Sequence, residues 1–410
     1  MEENIKRNFF WNTLGAVLYQ MCTWLTTILV VRLAGFEVSG LLGTAMTVTN
    51  TFITLASYGM RTYQVSDGDN RFSQRAYLDS RFITCGVAAF FCMLLSFAIP
   101  YSYLQRLCIA LYLLYRLSEP FSDVLHGMCQ KDGKLYIAGK SYILRSFTTI
   151  IPFAVGLLFT KNLPITLGLM CAFTWGAILL YDSKAALPYF KGQTGDGAIE
   201  LLWVCAPLAL YSVLSTASAS LPKLFLEREL GTEIMGIYNS VTAPVLLLQV
   251  GAAYLFTPLI TLISSRVAQK DKKGFLSLIL SVTILLALLL PVGLVGAAVV
   301  GEWGLKVFVS KYALPYAYLL LPMVVAAVET AMVLFASMLL TILRVLKGLV
   351  IANCAGIAVS LVASVPLIRM FSMQGATYSA ILALTVQLAC LIAFGIYGTK
   401  KYFKSGSEKN

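Results

Sequence analysis

The sequence predicts an all-α membrane protein of about twelve transmembrane helices, arranged as two six-helix lobes around a central cavity. Three observations lead there. The chain has 410 residues, of which 59% are hydrophobic and only 12% charged, and its mean hydropathy is +0.80; a soluble protein would carry about 25% charged residues. The charges sit in clumps between apolar runs of roughly 20 residues, the length a helix needs to cross a bilayer. Finally, the stretch from Arg32 through Gly35 and Glu37 to Gly40 reads R-x-x-G-x-E-x-x-G, and the pattern recurs as Arg228, Gly231, Glu233 and Gly236. Each copy follows the first apolar segment of its half, as a duplicated chain requires.

In order, the apolar segments of the first half are 10–33, 39–61, 82–101, 103–127, 140–160 and 163–182. Those of the second are 200–222, 234–262, 275–300, 313–340, 347–368 and 375–398. The first segment follows a short basic N-terminus and runs on without a small-residue cleavage site, so it reads as a helix and not as a removable signal peptide. Most Lys and Arg residues, Arg61, Arg81 and Arg145 among them, fall on one alternate set of flanks. The positive-inside bias then puts both termini in the cytoplasm of a multi-pass protein. The stretch 62–81 is expected to hold a short interfacial helix from Arg71 to Leu78. Pro188, Gly192, Gly195 and Gly197 mark a solvated linker, which divides the chain into lobes 1–190 and 191–410.

Several function classes are excluded at this level. The net charge of +12 reads as cytoplasmic flanking charge and not as a nucleic-acid surface. One His and nine scattered Cys, without C-x-x-C or H-x-x-x-H spacing, support neither a metal site nor any cofactor. Most of the cysteines lie in apolar runs and read as small buried hydrophobes. The stretch Gly133–Ser141 imitates a phosphate-binding loop, but five residues instead of four separate its glycines, and no strand precedes it. ATP is not indicated.

The fourth segment carries the strongest functional pattern. Tyr112, Arg116, Glu119, Asp123, His126 and Gln130 recur at spacings of three and four, which places them on one helical stripe. Charges that deep cost several kcal/mol unless they pair or face water, so the stripe is expected to line a polar cavity. Pro120 should kink this helix and free a carbonyl. Two readings stand side by side. In one, Arg116–Glu119 and Asp123–His126 are self-satisfied pairs that lock helices together. In the other, Arg116 binds phosphate through its planar fork, with Tyr112 beside it, while Glu119 and Asp123 couple transport to a proton or cation.

Other stripes point to the same cavity. Thr47, Asn50, Thr54, Ser57 and Arg61 share a face of the second segment, which makes Asn50 and Arg61 candidate substrate contacts. Serines and threonines on segments seven and eight are as readily explained as packing glue. Glu329, mid-way along segment ten, is a third candidate ion-coupling acid, or a helix-pairing residue. Arg32, Lys223 and Arg228 flank the duplicated turns and are candidate exit-side cations, or surface charges snorkelling at helix ends.

The opening Asn8-Phe9-Phe10-Trp11-Asn12, the turn Val31–Gly35, the run Gly59–Asp67, Tyr77–Arg81, His126–Gln130 and, in the second half, Leu221–Lys223 through Gly236–Tyr238 carry a family resemblance. On these residues the chain resembles the polysaccharide transport (Wzx-type) flippases, within the superfamily that includes multidrug and toxin extruders and lipid II flippases. The likeness spans the chain but is dense only in the first 145 residues. It implies two lobes around a cationic cavity in a bacterial cell membrane, and movement of undecaprenyl-diphosphate-linked oligosaccharides from inner to outer leaflet. It implies membrane lipids, a lipid-linked oligosaccharide and polysaccharide polymerase machinery as partners. Related extruders exchange cargo for protons or sodium, which extends to Glu119, Asp123 and Glu329 as an implied role.

Two alternatives remain. An ion-driven exporter of small molecules shares the fold. A membrane polymerase or glycosyltransferase needs acidic or basic side chains in a sizeable outer loop, and the outer loops here are short, so the chain is expected not to be an enzyme.

Overall fold

The computed structural model describes residues 2–66, 71–190, 195–256 and 259–404. Every regular element among them is helical: α1 (Glu2–Ser57), α2 (Met60–Ser66), α3 (Gln74–Ala98), α4 (Tyr103–Lys131), α5 (Leu135–Thr160), α6 (Leu163–Ala177), α7 (Ser183–Ala186), α8 (Ala198–Leu230), α9 (Thr232–Phe256), α10 (Leu259–Ala268), α11 (Lys272–Gly304), α12 (Leu320–Ile342), α13 (Leu346–Phe371) and α14 (Met373–Lys404). Among the described residues nine helices are long and apolar enough to cross a membrane. The first of them, 52 residues from Lys6 to Ser57, breaks at Gly35 (φ 86°, ψ −179°) into two crossing lengths. With α4, whose charged stripe keeps it out of the apolar set, and α9, the crossing-length segments come to about twelve. This is the all-α membrane class expected from hydropathy.

The glycines of the two similar turns share a positive φ. Gly35 has φ +86° and Gly231 has φ +91°, the left-handed region that glycine alone enters without steric cost. Gly35 interrupts α1, and Gly231 follows the last residue of α8. At both, a Cβ would meet nothing within 4 Å, so the requirement is conformational and not one of space.

Two compact units form, Met1–Thr216 and Ala217–Asn410. Their division falls inside α8, whereas the linker places the lobe boundary at 190/191. In the first unit a core of Met60, Phe72, Tyr77, Val124, Leu125 and Met128 packs α2, α3 and α4 together. In the second, Phe275, Val282, Leu286, Ala331 and Phe335 join α11 to α12.

Local sequence explains the helix ends. Ser102 and Gln105 form a reciprocal capping box at the start of α4, and Ser73, Asn162 and Asp271 each accept a backbone N–H at the start of α3, α6 and α11. Because α3 begins at Gln74, the interfacial helix expected from Arg71 to Leu78 does not form; its last residues belong to the membrane helix. Ser183–Ala186 continues α6 through a five-residue π-helical turn, Ile178–Asp182.

The false phosphate loop has an architectural explanation. Gly133 (φ +71°) reverses the chain between α4 and α5. Gly139 sits where a Cβ would strike the backbone of Trp11 and Asn12, and Gly15 meets the backbone of Gly139 in the same way. These glycines bring α1 and α5 into backbone contact. Asn8 ties the loop down: its Nδ2 donates to the Gly133 carbonyl (2.7 Å), and its Oδ1 accepts from the Tyr136 amide (3.0 Å).

Candidate functional site in the first unit

The stripe on α4 does form one row, and it meets polar groups from α1, α2 and α5. With α4 reaching Lys131, four residues beyond the expected end, Arg116 lies near its midpoint, about 20 Å from either end at 1.5 Å per residue. Pro120 lies within the helix; lacking an N–H, it cannot bond the carbonyl four residues back, that of Arg116.

At mid-depth Arg116 Nη2 stands 3.2 Å from Glu119 Oε2, the side chains being 19% and 24% exposed. The other Glu119 oxygen accepts from the Tyr19 hydroxyl at 2.7 Å. Tyr19 also approaches the Tyr115 hydroxyl (3.4 Å), which in turn contacts Thr149 (3.2 Å). The Arg116 Nε is buried and lacks a partner.

One turn along, Arg61 reaches across from α2. Its Nη1 donates to Asp123 Oδ1 (2.8 Å) and the Tyr142 hydroxyl (3.0 Å), while Nε and Nη2 both donate to Gln130 Oε1. The pair Asp123–His126, considered on spacing, does not form. Asp123 turns to Arg61 instead, and His126 Nε2 lies 3.2 Å from Asp182 Oδ1 at the end of the π-helical turn, both side chains being 1% exposed. A bulge of that kind inserts an extra residue and re-aims the side chain that follows. It brings Asp182 inward from what hydropathy marks as the end of the sixth segment.

Two more arginines enter from positions that resemble cytoplasmic flanks. Arg145, 1% exposed, donates to the Ser118 hydroxyl (3.0 Å) and to Ser122 Oγ, one helical turn apart on α4. Its guanidinium carbon lies 5.2 Å from the Tyr19 ring centroid. Among the described residues no carboxylate comes within ion-pair distance of it, and its Nε has no partner. Arg81, fully buried, donates to the carbonyls of Ala56 and Ser57. It thereby caps the end of α1 where Tyr58 (φ 54°) and Gly59 (φ 63°) turn the chain into α2.

The site thus gathers Arg61, Arg116 and Arg145 with Glu119, Asp123 and the His126–Asp182 pair, bordered by the hydroxyls of Tyr19, Tyr115, Tyr142, Ser118 and Ser122. Such a set can bind an anion through guanidinium forks and can move protons between carboxylates. Tyr112 is buried beside Tyr115, ring centroids 5.6 Å apart. Asn50 is exposed, and Thr54 of the same face bonds Thr216 (3.0 Å). Arg32 is exposed at the end of the first helical stretch.

The remaining candidates belong to the second unit. Lys223 is half-buried on α8, and Arg228 is exposed in its last turn. Next to Arg228, Glu229 is held by a two-pronged contact from Arg369 (2.8 and 3.3 Å). Glu329 on α12 accepts from Thr385 of α14 (3.0 Å), while its second oxygen is buried without a partner.

Sequence reasoning missed Arg145, Arg81, Tyr19, Tyr142 and Asp182. One signal was available for Arg145: Ser118 and Ser122 stand four residues apart on α4, a spacing suited to a fork from a neighbouring helix.

No family model matches the chain. The capsular polysaccharide biosynthesis protein CapF of Staphylococcus aureus is 24% identical over 242 residues, 57% of this chain and 60% of that protein; the alignment therefore spans less than two thirds of this relative. Solved structures match almost end to end. The lipid II flippase MurJ in an inward closed conformation superposes with a TM-score of 0.69 at 12% identity, covering 95% of this chain and 90% of that one. The Vibrio cholerae MATE transporter VcmN gives 0.61 at 11%, with 98% of each chain covered. A MOP-superfamily transporter from Pyrococcus furiosus gives 0.61 at 13%, over 97% and 95%. At such identities the likeness is one of fold: this chain has the all-α fold of these solved transporters.

Proposed function

We propose that this chain is a flippase that moves a polyprenyl-diphosphate-linked oligosaccharide from the inner to the outer leaflet of a bacterial cell membrane, with both termini cytoplasmic. The observation that carries the reading is the cluster of Arg61, Arg116 and Arg145 at membrane depth, with Arg145 lacking a carboxylate partner among the described residues. Serine hydroxyls and a ring face offset the desolvation of Arg145 without neutralising its charge, and a diphosphate is the kind of anion that such a charge attracts. The likeness to a lipid II flippase and to a capsular polysaccharide biosynthesis protein supports the same class of cargo. Arg116, whose Nε has no partner, would take the phosphate, and Arg61 would share it after leaving Asp123. Tyrosine and serine hydroxyls would meet the first sugar. Asn50, Tyr112, Lys223, Arg32 and Arg228 stand as further contacts along the path, and polysaccharide polymerase machinery as the consumer of the product. No chemical step on the cargo is part of this reading.

The test is Arg116→Ala in cells that depend on the exported polymer, together with deletion of the chain. Loss of export at normal protein level, and accumulation of lipid-linked oligosaccharide on the cytoplasmic face, are expected. Unchanged export at normal expression removes the phosphate role.

A second reading is an ion-driven exporter of small molecules. The likeness to a MATE transporter over 98% of each chain, and the carboxylates of Glu119 and Asp123 inside the site, favour it. Under it, gradient-driven efflux of organic cations requires Glu119, Asp123 or Glu329 and survives Arg116→Ala.

A further inference from the structure

We infer that the outer corner where α1 meets α5 is a binding site for one anionic phospholipid, with its head group on Arg7 and Lys140 and its two acyl chains along the two helices. The inference does not depend on the cargo the chain moves. The Arg7 guanidinium lies 4.2 Å from the Tyr136 ring centroid, and the Lys140 ammonium lies 5.7 Å from the same ring and 5.2 Å from that of Trp11. Two like charges are therefore held around one tyrosine, at a separation on the order of the Debye length of about 8 Å. Both are exposed, and among the described residues neither has an acidic partner. Ring faces attract such cations but leave their mutual repulsion in place, and an anion between them removes it.

The frame that holds the cations is rigid. Asn8 spans the Gly133 carbonyl and the Tyr136 amide. Gly139, adjacent to Lys140, lies against the backbone of Trp11 and Asn12. The charges are thus positioned before any ligand arrives, which lowers the ordering cost of binding.

Below each cation runs an exposed apolar stripe at helical spacing. From Arg7 it is Phe10, Leu14 and Val17; from Lys140 it is Leu144, Phe147 and Ile151. Two neighbouring stripes, each headed by a positive charge, match a lipid with one anionic head and two chains. A single-chain prenyl diphosphate would cover only one of them. Basic residues at helix ends attract anionic head groups at about 1 kcal/mol each, so the pair should favour an anionic over a zwitterionic lipid by about thirtyfold.

The test uses the full chain in detergent, titrated with phosphatidylglycerol or with phosphatidylcholine of identical acyl chains, and native mass spectrometry to count bound lipid. One tightly held phosphatidylglycerol is expected, weakened by salt, with phosphatidylcholine about thirtyfold weaker. The double variant Arg7→Gln/Lys140→Gln should abolish the difference, while Lys272→Gln on the second unit leaves it intact. Equal retention of both lipids by the wild type, or an unchanged preference in the double variant, overturns the proposal. Displacement of phosphatidylglycerol by farnesyl diphosphate at equal concentration would also overturn it, by assigning the site to prenyl diphosphates.

Discussion

Arg145→Met separates a functional cation from a structural one. The wild-type guanidinium has lost its water, at an effective cost of several kcal/mol. Against this stand two charge-assisted hydrogen bonds to Ser118 and Ser122, each contributing about 1.5–3 kcal/mol. The Tyr19 ring face adds about 2 kcal/mol. The terms nearly cancel, and a methionine of similar length fills the volume without a charge to bury. Ser122 already bonds the Glu119 carbonyl (3.1 Å), so it is not orphaned. Stability should therefore change by less than about 1 kcal/mol, since replacing a buried ion by an apolar side chain is commonly neutral or favourable. Function should not survive. A unit charge about 7 Å from a bound phosphate, at an effective dielectric of about 20, contributes about 2–3 kcal/mol, or roughly a hundredfold in affinity. The assay pairs thermal unfolding of the purified variant with polymer export in cells. A variant that exports normally refutes the electrostatic role; one that fails to fold refutes the cancellation argument.

Three further outcomes follow from the geometry. Gly139→Ala forces a methyl into the backbone of Trp11 and Asn12 and should destabilise the first unit by about 1–3 kcal/mol or more; Gly168→Ala on α6, which meets nothing within 4 Å, should be neutral or slightly stabilising. Both are read as melting temperatures. Gly35→Ala and Gly231→Ala, strained only through positive φ, should each cost about 1–2 kcal/mol, and unequal costs in the same melting assay would count against the two turns being equivalent. Arg61→Gln leaves Asp123 without its cation at a half-accessible depth, the two side chains being 22% and 28% exposed. It should lower the melting temperature more than the double variant Arg61→Gln/Asp123→Asn, which removes both charges.

The α4 row from Tyr112 to Gln130 was legible because a three-and-four spacing of polar residues inside an apolar run has no other helical explanation. Arg145 and Arg81 were not. Hydropathy places helix starts where the apolar run becomes continuous, and α5 in fact begins at Leu135, one and a half turns before that point. Ten residues into the helix, Arg145 is about 15 Å deep, yet in the sequence it resembles a flanking charge. Tyr19 and Tyr142 gave no signal, since an aromatic hydroxyl in an apolar segment scores as apolar.

By itself the sequence determined the membrane class, the number of crossing-length helices, the duplicated glycine turn and the charged row on α4. All of these follow from periodicity and solvent preference along one chain. Which charge meets which was decided only by tertiary structure. Asp123 could pair with His126 on its own helix, but α2 brings Arg61 to it, and the π-helical turn brings Asp182 to His126. The reason is physical: a side chain at membrane depth takes the strongest partner that packing places within about 3 Å, and that packing rests on contacts such as Gly139 against Trp11, which involve residues far apart in sequence.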